Sequence, residues 1–504
     1  MKTIRDRKME NNNNAAKRTA ASLDLAKSAF TLHVLSITGL FLFTSCAVGP
    51  DYERPETPGE AQNAYKSPIA VVDTDDNTPL ASDWWKLFDD AELNRLIEAA
   101  NQNNQDIRAA IARVAQARAA TSVMQSQFFP TITLDPSVTR GRTSSNNGGS
   151  NSGRTQTNYR VPFDLSYEID IWGRVRRSVE QSSQLELATV TDFSVVLQTI
   201  QADVAQNYFN LRSFDTQDMI LNRSLELYRK QLSLTETQFK AGIAPKTDVL
   251  QAQTQLNATV TQQLEVRRQR AITEHALAIL TGQPPVALNI ENKALGTKIP
   301  VIPAGLPSDL LGQRPDVAEA EHRLAAASAA IGIAKANFYP KFTLTGAAGW
   351  ESINTSNLFN WQSRIWSLGP ALSLPIFEGG RLTAELEQAK AAYDEQSANF
   401  RQAILNAFRD VEDSLSDLHH RALEADSQEA TLTSAREYLR LTEIQYEKGL
   451  VNYFQVIDAD RTLLTNEISA TQIQEQRLIS TVLLIKALGG GWKPDVEEPL
   501  LKDK

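Results

Sequence analysis

The stretch "YEKGLVNYFQVIDADR" (446–461) decides the fold of this chain. A helical pattern ends at Gly449, a few residues form a turn, and a second helical pattern begins at once. The earlier stretch "FKAGIAPKTDVLQAQ" (239–253) has the same arrangement around Gly242. Glycine adopts positive φ without steric cost and commonly ends helices. The sequence therefore predicts two helical hairpins, with tips at 242–247 and 449–454.

Both hairpins are predicted to be very long. The stretches 174–241 and 381–448 contain no proline and no glycine, and a helix of this length would extend roughly 100 Å. The return helices are predicted over 248–281 and 455–488, and Thr247 is suited to cap the first of them. Apolar residues in the second long helix follow the four–three spacing of a coiled-coil seam: Val411, Leu415, Leu418, Ala422 and Ala425.

The sequence contains an internal repeat. "DIRAAIARVAQARAATSVMQSQFFPTITL" (106–134) matches "DVAEAEHRLAAASAAIGIAKANFYPKFTL" (316–344), and 238–249 matches 445–456. The nearly constant offset between matched stretches indicates a duplication. Each repeat is predicted to contain a helix, a strand pair, a long helix and a return helix. The predicted domains are a signal peptide 1–45, an N-terminal and equatorial segment 46–103, a first repeat 104–285, a linker 286–312, a second repeat 313–492 and a tail 493–504.

Each repeat carries a pair of amphipathic strands. Between residues 159 and 171 apolar side chains alternate with polar ones, which gives a strand one apolar and one polar face. The same alternation recurs in three other segments. The strands are predicted at about 131–143, 157–172, 341–351 and 365–377.

Four strands are too few to close a transmembrane barrel, which needs about eight or more. An open sheet edge cannot face lipid, because its backbone groups would lack hydrogen bonds. Three copies of the chain would supply a twelve-stranded barrel whose polar faces line a water-filled pore. The same symmetry would gather the long helices into a tube. A soluble helical protein with a β-sandwich face is the alternative fold.

The first 45 residues predict a secretion signal. A basic, Asn-rich start precedes a short apolar run at 29–45, and translation could start at Met1 or Met9. "FTSC" (43–46) resembles a bacterial lipobox, in which the cysteine is acylated and becomes the mature N-terminus. Acyl chains on Cys46, the only cysteine, would anchor the chain to a membrane leaflet without spanning it. An ordinary signal with an incidental cysteine is the alternative.

Composition and motifs exclude several function classes. The net charge of −9 includes the basic leader, so the remaining chain is more acidic still and lacks the basic character of a nucleic-acid-binding protein. No internal stretch approaches the ~20 apolar residues of a spanning helix. No nucleophile motif, metal-ligand cluster or phosphate-binding loop is present. The sequence therefore predicts no enzyme, no metal and no cofactor other than the lipid on Cys46.

Three motifs, together with the junctions "FPTITL" (129–134) and "YPKFTL" (339–344), resemble one known family. "CAVGPDYERP" (46–55), "WWKLFDDAELNRLI" (84–97) and "GLVNYFQVIDADR" (449–461) are similar to the outer-membrane efflux, or TolC-like, family in its NodT/OprM lipoprotein branch. The resemblance implies a mainly α homotrimer with a twelve-stranded β-barrel in the outer membrane and a twelve-helix α-barrel in the periplasm. It also implies the exit duct of a tripartite pump, with a periplasmic adaptor and an inner-membrane RND transporter as partners.

The resemblance assigns roles to both tips. The tip glycines and the short apolar residues after them would contact the adaptor: Gly242, Ile243, Ala244, Gly449, Leu450 and Val451. Polar side chains at positions that match the family's closing contacts would form a latch: Thr247, Asp248, Tyr446 and Arg461. Val451 stands where the arginine of the TolC-type latch falls. We therefore expect no salt bridge there, and a hydrogen bond between Asp248 and Tyr446 instead.

The resemblance also places a pore constriction just inside the second tip. Asp458 matches the aspartate of the family's D-A-x-R segment, and three copies would form an acidic ring that binds cations. Gln455 stands where some members have a second aspartate, so we expect a single ring. Asp460 is expected to face another direction. The alternative interpretations are a solvated surface charge for Asp458 and simple turn chemistry for the tip glycines.

Three functions remain open from the sequence. They are an efflux duct, the outer channel of a type I protein secretion system, and a coiled-coil lipoprotein scaffold that forms no channel. The alternating strands argue against the scaffold, and the lipobox together with "VGPDYERP" (48–55) favours efflux. Drugs or other toxic small molecules are the expected cargo class, but the cargo itself is not specified, because such a duct is passive.

Overall fold

The computed structural model describes residues 47–56, 66, 80–146, 153–296, 298–302 and 312–493. The predicted signal peptide, Cys46 and nearly all of the predicted tail lie outside this part of the chain. The chain divides into two compact units. The first contains the sheet, within 121–182 and 327–393, and the second contains most of the long helices, within 183–326 and 394–504.

The first unit contains an antiparallel sheet of five strands: β1 (Thr131–Leu134), β2 (Ser137–Arg142), β3 (Thr155–Ile169), β4 (Lys341–Ser352) and β5 (Arg364–Ser373). β3 pairs with β1 and β2 along one side and with β4 along the other, and β5 pairs with β4. The strand predicted at about 131–143 is divided into β1 and β2 at Pro136, which has no N–H to donate to the ladder. Within the described residues, the outer edges formed by β1/β2 and β5 pair with no further strand.

The register places most of the large apolar side chains of the five strands on one face, and Ile365 is an exception on the other. Directly opposite residues of an antiparallel ladder share a face, and Phe163 pairs with both Leu134 and Ala348, while Val161 pairs with Trp350. The apolar face contains Ile132, Leu134, Val138, Tyr159, Val161, Phe163, Leu165, Tyr167, Ile169, Phe342, Leu344, Trp350, Trp366, Leu368 and Leu372. The opposite face carries Arg160, Asp164, Ser166, Glu168, Thr343, Thr345 and Ser367.

Seven α-helices lie in the described part of the chain: α1 (Ala91–Asn103), α2 (Gln105–Gln125), α3 (Arg174–Lys240), α4 (Lys246–Leu280), α5 (Pro315–Ala336), α6 (Arg381–Glu447) and α7 (Tyr453–Ala487). The two long helices, α3 and α6, each have 67 residues, and the return helices, α4 and α7, each have 35. None of the helices in the described ranges is long and apolar enough to cross a membrane.

The return helices begin two residues earlier than predicted, at Lys246 and Tyr453. Pro245 occupies the N-cap position of α4 with φ −75° and ψ 160°. The prediction that Thr247 caps this helix is wrong, because Thr247 already lies in the first turn. Proline fits directly ahead of a helix, since its fixed φ and missing N–H cost nothing there.

Hydrophobic contacts join the helices of the second unit side by side. Leu221 of α3 packs with Val266 of α4 and with Leu464 of α7. Leu432 of α6 packs with Leu463 of α7. Polar contacts give the order of the helices: Arg267 of α4 donates to Asp218 of α3, Arg223 of α3 pairs with Glu467 of α7, and Gln428 of α6 donates to Asn466 of α7. These contacts place α3 between α4 and α7, and α7 between α3 and α6. The outward sides of α4 and α6 have no such neighbour among these clusters.

A buried ion cluster fastens residues 289–296 to the α3/α4 hairpin. The fully buried Asp215 carboxylate accepts hydrogen bonds from Arg212 at 3.0 Å and from Arg270 at 2.6 Å. It also accepts one from the backbone N–H of Lys293 at 3.1 Å. Both arginines donate in addition to backbone carbonyls of the same segment. This segment has no regular secondary structure, so these side chains supply the hydrogen bonds that its backbone needs.

Candidate functional site: the hairpin tips and the helix behind them

The two tips are closed by the same backbone hydrogen bonds. Gly242 N donates to the carbonyl three residues back and Ile243 N to the carbonyl five residues back, each at 2.9 Å. Gly449 and Leu450 make the equivalent bonds, also at 2.9 Å. This Schellman arrangement requires positive φ at the glycine, and the two φ angles are 74° and 70°.

Each tip exposes a large apolar side chain. Ile243 is 77% exposed and Leu450 is 71% exposed. Ala244 and Val451, which follow them, are half-buried. The docking prediction requires apolar groups that their own chain leaves uncovered, and both tips meet that requirement. The docking itself stays a prediction.

The residues predicted to form the constriction lie on the first turns of α7. Asp458 and Gln455 are both exposed. Asp458 forms an ion pair with Arg461 at 3.4 Å, and the side chains are 59% and 63% exposed. A pair this open is screened by water and salt, so it neutralises the aspartate only partly. Whether Asp458 faces a pore depends on neighbouring copies, and the acidic ring stays a prediction.

The predicted latch residues have other partners inside this chain. Thr247 donates to Asp248 at 3.2 Å, and the rings of Tyr446 and Tyr453 meet edge to face with centroids 4.8 Å apart. Among the described residues of this single chain, Asp248 and Tyr446 are not hydrogen bonded to each other. Arg461 pairs with Asp458, as above. A latch between tips therefore stays a prediction that concerns contacts beyond one chain.

The sequence analysis assigned no role to Asp460, but the fold buries this residue. Asp460 is 8% exposed and faces Tyr228 of α3, which is 2% exposed. A signal for this position does exist in the sequence. Val456, Asp460 and Leu463 follow the four–three spacing of a helical seam, which places a carboxyl among core positions.

The surroundings of Asp460 disfavour its charged form. Burial raises the pKa of Asp460, while the Tyr228 hydroxyl and the charge of Arg223 lower it by less, and Glu467 adds to the rise. Burial also acts on a neighbouring ring. Together with Tyr446, Asp460 and Glu443, it raises the pKa of Tyr453 to about 12.

The sequence is similar to proteins of known role. The profile of the family described as outer membrane efflux protein matches residues 96–283 and 306–490. The toluene efflux pump outer membrane protein TtgI of Pseudomonas putida is 33% identical over 462 residues, which cover 91% of this chain and 98% of TtgI. The cation efflux system protein CusC of Escherichia coli is 32% identical over 453 residues, which cover 89% of this chain and 96% of CusC.

The fold is similar to that of solved outer-membrane channels. The Campylobacter jejuni CmeC outer membrane channel superposes with a TM-score of 0.83 at 25% identity, covering 90% of this chain and 96% of that chain. The outer-membrane channel OprN superposes with a TM-score of 0.82 at 31% identity, covering 89% and 100%.

Proposed function

This chain belongs to the outer membrane efflux protein family, and we propose that three copies of it form a continuous duct from the periplasm to the exterior. The protein is an outer-membrane component of an efflux pump, as its relatives are. Substrates pass through the duct passively, and no catalytic step is assigned to the chain.

The observation that carries the trimer is the sheet of the first unit. Large apolar side chains cover most of one face, which Arg364 interrupts at the end of β5, and most polar side chains lie on the other face. Two edges of the sheet remain unpaired within the described residues, and lipid cannot satisfy their backbone groups. Pairing of β5 with β1/β2 of the next copy satisfies both edges. Three copies then give a twelve-stranded barrel, counting β1 and β2 as one interrupted strand.

Exposed apolar residues on the outer helices support an α-barrel of twelve long helices. On α4, Leu264, Ile272 and Ile279 are exposed and lie seven or eight residues apart, which is the spacing of a coiled-coil seam. On α6, Leu405 and Leu423 are exposed as well. Since α4 and α6 are the outer members of the four-helix layer, neighbouring copies would cover both surfaces.

An internally duplicated chain is part of the same proposal. The long helices have equal lengths, the return helices have equal lengths, and the two tips have the same hydrogen bonds. The family profile matches two separate segments of similar size. Duplication explains how one chain has two hairpins, each of a long helix and a return helix, and presents two equivalent tips to one partner surface.

A duct in the outer membrane needs partner proteins that deliver the cargo to its periplasmic end. The exposed apolar tips would contact a periplasmic adaptor, which links the duct to an inner-membrane RND transporter. The relatives are named for toluene and for cations, which are chemically unlike cargos. This difference supports a passive duct for toxic small molecules, in which the transporter selects the cargo.

A lipid anchor on Cys46 completes the proposal. Residues 47–52, which follow it, belong to the unit that contains the sheet. Val48 N donates to Trp172 O at 2.9 Å, close to the end of β3. Gly49 passes so close to α5 that a Cβ there would lie 2.6 Å from Gly332 Cα. This position beside the strands supports insertion of a lipid on Cys46 into the outer membrane, while the acylation itself rests on the resemblance of "FTSC" (43–46) to a lipobox.

The proposal is tested with the full-length protein purified in mild detergent. We expect a mass of three chains by native mass spectrometry and stepwise ion conductance in planar lipid bilayers. Leu264→Asp and Ile272→Asp, within the α4 stripe, should weaken the trimer, whereas Glu265→Gln beside the stripe should leave it intact. A monomer without conductance would contradict the duct and would favour the lipoprotein scaffold.

A further inference from the structure

The seam between α3 and α7 contains unsatisfied polar groups near the tips. Asp460 and Tyr228 face each other across it. Asp460 Oδ2 and the Tyr228 hydroxyl, both shielded from solvent, approach each other without completing a hydrogen bond of good geometry, and neither has another partner. The facing hydroxyl therefore favours the charged carboxylate only weakly. Burying a polar group without a hydrogen bond costs about 1–3 kcal/mol, so this part of the seam is weak.

The same seam is well satisfied farther from the tips. Leu221 of α3 packs against Leu464 and Ile468 of α7, and all three are buried. Arg223 pairs with Glu467 across the same two helices. Well-packed apolar and ion-pair contacts therefore give way to buried polar groups without hydrogen bonds within about two helical turns of Asp460. Loosening can begin at the tips without disrupting the rest of the seam.

The polar and charged groups around Asp460 come from every neighbouring helix. α3 contributes Arg223 and Tyr228, and α7 contributes Glu467, with Arg461 acting on Tyr228. Gln255 of α4 lies beside the Tyr228 hydroxyl and is uncharged. Tyr446 and Glu443 of α6 act on Tyr453, which in turn faces Asp460. No cation in this set donates a hydrogen bond to the Asp460 carboxylate in the described structure.

The sign of the pH dependence follows from burial. Burial raises the pKa of Asp460 in the packed seam, so packing favours the protonated form. The stabilisation of the packed seam by protonated Asp460 is complete below the ordinary pKa of an aspartate. It is lost as the pH rises through the raised pKa of Asp460. Ionised Asp460 gains hydration only if water enters between α3 and α7.

We propose that Asp460 makes the tip-proximal part of the α3/α7 seam a proton-controlled joint. Protonated Asp460 keeps the two helices packed, and ionised Asp460 draws water into the seam and loosens it. The joint is a property of one chain. Its test therefore gives the same answer whether or not three chains form a duct.

Hydrogen exchange of the full-length protein, followed by mass spectrometry between pH 5 and pH 8, tests the joint. After correction for chemical exchange rates, protection of peptides covering 453–463 should fall as the pH rises, by at most about tenfold per pH unit for one proton. Asp460→Asn should stay protected across this range. Glu437→Gln, an exposed carboxyl on α6, should follow the unsubstituted protein. Peptides near Ile485 serve as an internal reference.

A second variant, Tyr228→Phe, keeps the proposal testable if Asp460→Asn does not fold. Tyr228→Phe removes the hydroxyl that lowers the pKa of Asp460, so the loss of protection should move to higher pH. The proposal is overturned if Asp460→Asn loses protection with the same pH dependence as the unsubstituted protein. It is equally overturned if the transition of Tyr228→Phe stays in place or moves to lower pH.

Discussion

Asp215 shows how a single carboxylate can fix a segment that has no secondary structure of its own. It holds two arginines, and those arginines hold the backbone of 289–296. Breaking a buried ion pair from one side leaves uncompensated charge in the interior, at a cost of about 3–5 kcal/mol. Asp215→Ala should lower the free energy of unfolding by this amount, measured by urea unfolding followed by circular dichroism. Glu265→Gln, from an exposed pair on α4, should leave the unfolding curve unchanged.

Gly242 and Gly282 should respond differently to alanine although their φ angles, 74° and 71°, are nearly equal. A Cβ on Gly242 meets nothing within 4 Å, whereas one on Gly282 would lie 2.3 Å from the carbonyl oxygen of Asn103. Gly242→Ala should cost about 1–2 kcal/mol, the strain of left-handed backbone alone. Gly282→Ala should cost clearly more, because the end of α1 must also move. Equal losses of thermal stability would contradict this reasoning.

At the scale of elements, the helices were more predictable than their contacts. The long Pro- and Gly-free stretches predict α3 and α6 to within one residue of their observed ends, because nothing in them favours a break. The start of α4 was misplaced, since Pro245 and Thr247 are both plausible beginnings. The burial of Asp460 was missed, because only the partner helix α3 determines which side of α7 is covered.

The strands were predicted only from the alternation of apolar and polar residues. The observed register shows which side chains share a face, so the two faces can be compared by mutation. Leu368 lies on the apolar face of β5, and its neighbour Ser367 lies on the polar face. If the apolar face contacts lipid, Leu368→Arg should destabilise the inserted barrel by about 2–4 kcal/mol near mid-membrane. Ser367→Arg places the same charge one residue away in the pore and should be tolerated. Refolding into lipid vesicles at increasing denaturant measures both, and equal effects would contradict the assignment of faces.

At the scale of the whole molecule, one chain leaves two kinds of surface incomplete. The sheet has unpaired edges within the described residues, and the outer helices α4 and α6 have uncovered apolar side chains. The sequence predicted the open sheet, because the period-two pattern is local. It did not predict the uncovered side chains of the outer helices, since the seam it identified contains Val411, Leu415 and Leu418, which are buried within the chain. It could not predict which side chains face the duct, because in the proposed trimer that depends on how the three copies pack together.

Two substitutions at the predicted constriction test whether Asp458 faces the duct, because they should change the ion selectivity in opposite directions. Asp458 and Arg461 are paired on the surface of α7 at 3.4 Å. If Asp458 lines the narrowest part of the duct, Asp458→Asn should reduce the preference for cations, because it removes the ring of negative charge. Arg461→Gln should increase that preference, because the aspartate loses its nearby positive charge. Reversal potentials in a potassium chloride gradient measure both, at low ionic strength to limit screening.

Glu437→Gln is the matched control for this experiment, since it removes one exposed carboxyl from α6, where it pairs with Arg440. The reversal potential should not change in this variant. Shifts of the same sign in Asp458→Asn and Arg461→Gln would mean that the substitutions act by distorting the tip rather than through charge in the duct. No shift in either would place Asp458 outside the conduction path, and its pairing with Arg461 would then be a surface contact of α7.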